Sequence, residues 1–133
     1  MKVLIAGATG VLGRRLVQQL RDRGHSAIAL VRSAKGEQIV QSLGAESCWV
    51  DIFDAEAIAR AASGVDVVIH AATSIPVKNR TTPADWEMND RLRRAGTQAL
   101  TTAAAKIGAR LYIQQSVIPI GYKNDAIGLS HSW

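Results

Sequence analysis

The stretch Gly7-Ala8-Thr9-Gly10-Val11-Leu12-Gly13 constrains this chain more than any other feature. It follows directly on the short apolar run Lys2–Ala6, and an amphipathic segment begins with no loop between. Strand, glycine turn and helix in immediate succession aim backbone N–H groups and a helix N-terminus at one point, which suits a phosphate. The three glycines have separable tasks: one permits the tight turn, one lets backbone approach a pyrophosphate, and one lets the helix pack close to the sheet. A bare glycine triplet is weak evidence, but here it follows a strand and opens a helix in a βαβ unit of the right size. The competing reading is a tight strand-to-helix turn with no ligand.

The rest of the chain repeats the alternation. The first strand is Lys2–Ala6, and a helix over Val11–Arg23 follows, with Leu12, Leu16, Val17 and Leu20 at helical spacing. A second strand is expected over Ala27–Val31. A helix over Lys35–Leu43 is capped by Ser33, and a third strand covers Glu46–Val50. Asp54 caps a helix to about Ser63, and Val65–Ala71 is a run of branched apolar residues suited to a strand covered on both faces. Thr73–Thr82 reads as a loop. Thr82-Pro83-Ala84-Asp85 then forms a capping box with proline at the first helical position, and one helix is expected from there to Ile107. The last strand is Arg110–Gln114, and Gly24, Gly44, Gly64 and Gly108 stop the helices. Alternating strands and helices with short connections predict parallel βαβ units and a doubly wound parallel α/β sheet of about five strands. Residues 1–116 form this domain. From Val117 the pattern fails, and 117–133 reads as an irregular tail.

Composition narrows the functional classes. At 133 residues, with 47% hydrophobic and 20% charged residues, the chain is one domain with enough apolar content for a real core. Its formal charge of +5 raises nucleic acid as a partner. The cations, however, are spread and interleaved with acids. In the densest group, Arg91, Arg93 and Arg94, Glu87 precedes Arg91 by four residues and Asp90 precedes Arg94 by four. That is the favourable helical pairing, so the group reads as a solvated helix face. Strand-like sequence begins at once, no apolar run has the length of a membrane span, and a cytoplasmic, non-membrane protein is expected. The lone cysteine, Cys48, reads as a buried thiol.

Three further positions bear on the ligand. NAD-preferring folds place an acid at the end of the second strand to bond the ribose hydroxyls, and this chain has Arg32 there. A guanidinium attracts a 2′-phosphate, so NADP is favoured over NAD; the competing reading is a solvent-exposed arginine. Arg14 and Arg15 lie nearby and add positive field, though each also reads as a surface residue. Asp51-Ile52 ends the third strand, where the carboxylate reaches either an adenine amino group or local backbone as a loop or capping acid. His70-Ala71-Ala72-Thr73 ends the fourth strand. Its small residues let a cofactor lie across the sheet edge, and His70 reads as a packed core histidine rather than a catalyst or metal ligand.

Taken in order, Gly7–Gly13, Asp51-Ile52, His70-Ala71-Ala72 and Gly96-Thr97-Gln98-Ala99-Leu100 resemble the extended and atypical short-chain dehydrogenases/reductases, in particular the NAD(P)-dependent epimerase/dehydratase group. Asn89–Thr97 followed by Gln114-Gln115-Ser116 is similar to a bacterial subgroup of it. The resemblance covers about residues 1 to 116 and implies a Rossmann-like sheet with its five strands in the order 3-2-1-4-5. It implies that Gly7, Thr9, Gly10, Val11 and Leu12 contact pyrophosphate or adenosine, that Arg32 reads the 2′-phosphate, and that Asp51 and Ile52 flank adenine. Ala71, Ala72 and Thr73 would line the nicotinamide-side ribose, and Ser116 stands where the family keeps a catalytic Ser or Thr. The implied substrate is a sugar nucleotide or a similar small carbonyl or alcohol.

The family's Tyr-x-x-x-Lys pair, which exchanges a proton while hydride moves, is not matched. Tyr112 is followed four residues on by Ser116, and Tyr122 by Ala126. The chain therefore reads as the N-terminal, cofactor-binding half of such an enzyme, truncated on its C-terminal side, with little or no catalysis of its own. The alternative is a non-catalytic NADP(H)-binding regulatory or redox-sensing module. With the fifth strand as an exposed sheet edge, self-association through that edge is expected.

Overall fold

The computed structural model describes residues 1–76 and 78–116. Its strands are β1 (Lys2–Ala6), β2 (Ser26–Val31), β3 (Glu46–Trp49), β4 (Val67–His70) and β5 (Leu111–Gln114). They form one parallel sheet in the order β3-β2-β1-β4-β5, the expected doubly wound arrangement. Between them run α1 (Val11–Asp22), α2 (Ala34–Ser42) and α3 (Ala55–Ala61), and a longer helical path connects β4 to β5. The irregular stretch expected over 117–133, with Tyr122, lies outside the described residues.

Strand side chains alternate between faces, and each face of this sheet has its own core. Val3 and Ile5 of β1 pack with Val17 of α1, Val40 of α2, and Ala29 and Val31 of β2. Leu4 and Ala6 point the other way, to Ile58 of α3 and to Leu100 and Ala103 of the final helix, alongside Val68 of β4. The central strands β1 and β4 are therefore covered on both faces, and their carboxyl ends open on the same side of the sheet.

The caps form as the sequence requires. Ser33 Oγ accepts the Gly36 N–H at 3.0 Å, Asp54 Oδ1 accepts the Ala57 N–H at 3.1 Å, and Asp85 reaches back to the Thr82 N–H at 2.8 Å. Several boundaries need correction. The third helix stops at Ala61 rather than Ser63, and β4 starts at Val67 rather than Val65. Here the Val65 N–H bonds back to the Ala62 carbonyl at 3.0 Å, which closes a turn before the strand begins. Cys48 is half-buried rather than buried, because β3 is an edge strand with one uncovered side. Burial on its inner side still pushes the thiol pKa up.

The largest correction concerns the helix expected from Pro83 to Ile107. It is a 3-10 turn (Pro83–Trp86), a short α4 (Glu87–Arg91), a π turn (Leu92–Gly96) and α5 (Thr97–Ile107). A π turn closes i→i+5 rather than i→i+4 bonds, so side chains four residues apart across it no longer stack on one face. Neither Glu87–Arg91 nor Asp90–Arg94 forms an ion pair; Arg91 instead stacks on Phe53, 3.9 Å from the ring centroid. No helix of the described residues is long and apolar enough to cross a membrane.

Candidate functional site

The turn after β1 shows why each glycine is where it is. Gly7 has φ +88°, and a Cβ there would stand 2.4 Å from the Ala71 carbonyl and the Ala72 nitrogen. At Gly13 a Cβ would stand 2.0 Å from the Gly7 oxygen, so this residue lets α1 sit directly on the turn. Gly10 differs from both: a Cβ there would meet only the Gly7 oxygen, at 3.5 Å, and otherwise open space. Gly10 is the N-cap of α1, whose first turn carries neither a side-chain cap nor an acid. The helix thus begins with backbone donors unclaimed by any side chain and with the positive end of its dipole outward. Arg14 Nε donates to the Thr9 carbonyl at 2.7 Å and holds the turn from the helix side.

A cleft of about 840 Å³ runs from this turn along the carboxyl ends of the strands. Gly7, Thr9, Gly10, Arg32, Asp51, Ile52, Ala71, Ala72 and Thr73 all border it. Three other expected site residues do not. Val11 and Leu12 start α1 with exposed side chains, and Ser116 stands exposed beyond β5. Sequence reasoning missed Lys35, Trp49, Phe53, Met88 and Arg91, which also line the cleft. Lys35 and Trp49 were within reach of it. Lys35 is in the first turn after the Ser33 cap, and Trp49 shares strand parity with Asp51. Met88 and Arg91 depend on how the helical path after residue 82 folds back, which no local pattern reveals.

The cations at the cleft are Arg14, Arg32, Lys35 and Arg91, and among the described lining residues the acid is Asp51. Asp51 Oδ1 accepts the Phe53 N–H at 2.9 Å, so the loop-closing role weighed for it is realised. Trp49 is 57% exposed on the cleft wall and donates its indole N–H to Glu37, which also accepts the Ser47 hydroxyl at 3.0 Å.

His70 is a buried core histidine, 3% exposed, with both ring nitrogens engaged. Nε2 donates to the Leu92 carbonyl at 2.9 Å, and Nδ1 accepts the Ala72 N–H at 3.2 Å. Gly96 makes room for the ring, since a Cβ there would lie 3.3 Å from Nε2. Burial lowers the His70 pKa, the bond to Leu92 opposes that shift, and Arg93 adds to it. Buried Asn89 makes a parallel tie, its Oδ1 accepting the Ser74 N–H at 3.0 Å.

Residues 7–132 match the profile of the family described as NAD(P)H-binding. The chain is 38% identical over 123 residues to the 3-diazoavenalumate denitrifying reductase of a Streptomyces species, an alignment covering 88% of this chain and 38% of that protein. It is 32% identical over 119 residues to the photosystem II assembly factor Ycf39 of Synechocystis, covering 89% and 34%. The UDP-glucose 4-epimerase of Thermotoga maritima has the same fold, with a TM-score of 0.72 at 21% identity over 88% of this chain and 38% of that one. A short-chain dehydrogenase/reductase superfamily protein of Agrobacterium tumefaciens, solved with bound NAD, gives a TM-score of 0.66 at 25% identity over 86% and 32%. The chain spans 38% and 34% of the lengths of the two curated relatives.

Proposed function

The chain belongs to the NAD(P)H-binding family, and from that premise we propose that it is the cofactor-binding domain of a reductase or epimerase-like protein and prefers NADP(H). The observation that carries the reading is the pairing of an uncapped α1 N-terminus, left open at Gly10, with Arg32 and Lys35 across the same cleft. In this reading the backbone of Gly7–Leu12 binds the pyrophosphate, although the side chains of Val11 and Leu12 stand outside the cleft. Arg32, with Lys35 beside it, binds the 2′-phosphate. Asp51 and Ile52 flank adenine, the free Asp51 oxygen remaining for its amino group, and Ala71, Ala72 and Thr73 line the nicotinamide-side ribose. The cleft volume and its small, glycine-rich floor fit a dinucleotide.

When bound, the nicotinamide accepts or donates hydride. This chain's own residues would bind and orient it. In this reading Ser116 hydrogen-bonds a carbonyl or alcohol substrate, with a sugar nucleotide as one candidate. Proton transfer would have to come from elsewhere than the chain's two tyrosines, neither of which has lysine four residues on. Tyr112 donates to the Gln114 side chain at 2.9 Å, and burial raises its pKa, which makes its phenol a weaker acid. The likeness to an assembly factor supports a second reading, an NADP(H)-binding regulatory or redox-sensing module without turnover.

Calorimetric titration with NADPH and NADH tests cofactor choice. Charge-assisted hydrogen bonds contribute about 1.5–3 kcal/mol each, so NADPH should bind about tenfold or more tighter, and Arg32→Ala should remove most of that margin. Equal affinities, unchanged by Arg32→Ala, would overturn the assignment.

A further inference from the structure

The last ladder bonds at the carboxyl end of β4 are those from Ala71 N–H to the Ala6 carbonyl, at 2.8 Å, and from Gln115 N–H to the His70 carbonyl, at 2.9 Å. Beyond them the chain leaves the sheet and forms the cleft floor, and its backbone donors are met by side chains. Ala72 N–H goes to His70 Nδ1, and Ser74 N–H goes to Asn89 Oδ1. The other His70 nitrogen holds the Leu92 carbonyl in the π turn. Ala72 and Leu92 both line the cleft, whereas the His70 ring does not.

We propose that His70 is a positioning residue of the cofactor cleft: its neutral ring, protonated on Nε2, ties the floor at Ala72 to the wall at Leu92, and tight cofactor binding requires that tautomer. The inference rests on the cleft being a dinucleotide site. The two partners fix the tautomer, because a carbonyl needs a donor and an N–H needs an acceptor. A second proton would place N–H against N–H at Ala72 and break the floor tie while leaving the Leu92 bond. The charged group bearing on the ring is Arg93, from the same π turn, and it opposes protonation. The strand neighbours at this register, Ala6 on β1 and Gln114 on β5, carry no charge.

His70→Asn keeps an acceptor near the Nδ1 position, loses the Leu92 donor and does not titrate; His70→Gln keeps the distal donor and loses the Ala72 acceptor. NADPH affinity is measured for all three proteins at about pH 7.5 and about pH 5. The wild type should lose more affinity on acidification than His70→Asn, the gap opening as pH falls through the ring's lowered pKa and widening by at most about tenfold per pH unit below it. The 2′-phosphate of the ligand titrates in every protein, so the difference isolates the ring. Ring-nitrogen NMR of the wild-type chain should show the Nε2–H tautomer at neutral pH, with the Ala72 amide signal moving as the ring protonates; this needs no variant and no ligand. Parallel acid profiles for wild type and His70→Asn, or an Nδ1–H tautomer at neutral pH, would overturn the proposal. A wild-type chain that binds no NADPH near pH 7.5 refutes the dinucleotide reading instead, and the ring and amide signals still decide whether His70 makes both ties.

Discussion

Replacing the glycines of the turn one at a time separates ligand binding from folding. Gly10 has φ −76° and ψ 174°, which any residue adopts, and a Cβ there touches only the Gly7 oxygen at an ordinary 3.5 Å. Gly10→Ala therefore strains nothing; as a change at an N-cap it should destabilise by less than about 1 kcal/mol. For a domain of this size that lowers the melting temperature by about 3–5 °C. The new methyl projects into the cleft, where the proposed pyrophosphate needs close approach to the α1 donors. Losing one charge-assisted contact of about 1.5–3 kcal/mol weakens binding by about tenfold to a hundredfold. Gly13→Ala should behave oppositely. Its Cβ would sit 2.0 Å from the Gly7 oxygen and 2.7 Å from the Ala8 Cα, both backbone atoms that cannot swing aside. Overpacking of that kind costs about 3 kcal/mol or more. Thermal melts with and without NADPH, alongside calorimetric titration, read both quantities. A Gly10→Ala chain that binds NADPH like the wild type would refute the assignment of Gly10 to ligand approach. One that fails to fold would refute the packing argument.

Two further outcomes follow from particular residues. Burial holds the folded-state pKa of His70 below the ordinary 6.5, so the unfolded chain takes up the proton first as pH falls. The stability from its neutral ring is complete above about pH 6.5 and declines as pH falls toward the folded-state value, at up to about 1.4 kcal/mol per pH unit. Urea unfolding across that range should show His70→Asn without this component; identical slopes would contradict it. β5 presents Leu111 and Ile113, 52% and 44% exposed, and pairs only with β4 among the described residues. We propose self-association there, weakened by Leu111→Lys; sedimentation giving a strict monomer for the unsubstituted chain at about 100 μM would count against it.

The strands and helices were legible because apolar runs and the start and stop signals, from Ser33 and Asp54 to Gly108, are local, while the sheet order came from the family resemblance. The glycine turn was legible for the same reason: its constraints are local, within residues 2 to 13. The long helical path was not. Between Pro83 and Ile107 the sequence marks a break only by Gly96, and nothing local ties that glycine to His70, which arrives from β4 more than 20 residues earlier, packs against it and takes the Leu92 carbonyl. The Asp90–Arg94 pair, which runs into the π turn, failed with it, while Arg91 turned from Glu87 to the Phe53 ring. The same non-local folding brought Met88 and Arg91 to the cleft, whereas Ser116, placed by family resemblance, is not among the residues that line it.

The basic balance of the chain takes its meaning only from that folding. Along the sequence the cations look dispersed, and a solvated surface is the natural reading. In the fold, Arg14 arrives on α1, Arg32 and Lys35 at the β2–α2 junction, and Arg91 after β4, so four cations from three separate stretches border one cleft. Asp51 opposes them there, with one oxygen already engaged by Phe53. Arg91 is held by an aromatic face, and among the described residues no carboxylate pairs with it. Low-dielectric walls focus such a field, and the uncapped α1 terminus adds its dipole in the same sense. A ligand with several phosphate charges distributed along its length satisfies this arrangement better than one compact anion. In the proposed reading the turn and Arg32 each take a phosphate, so the salt dependence of NADPH affinity should exceed that of NADH by the contribution of the extra phosphate; equal salt slopes would contradict it.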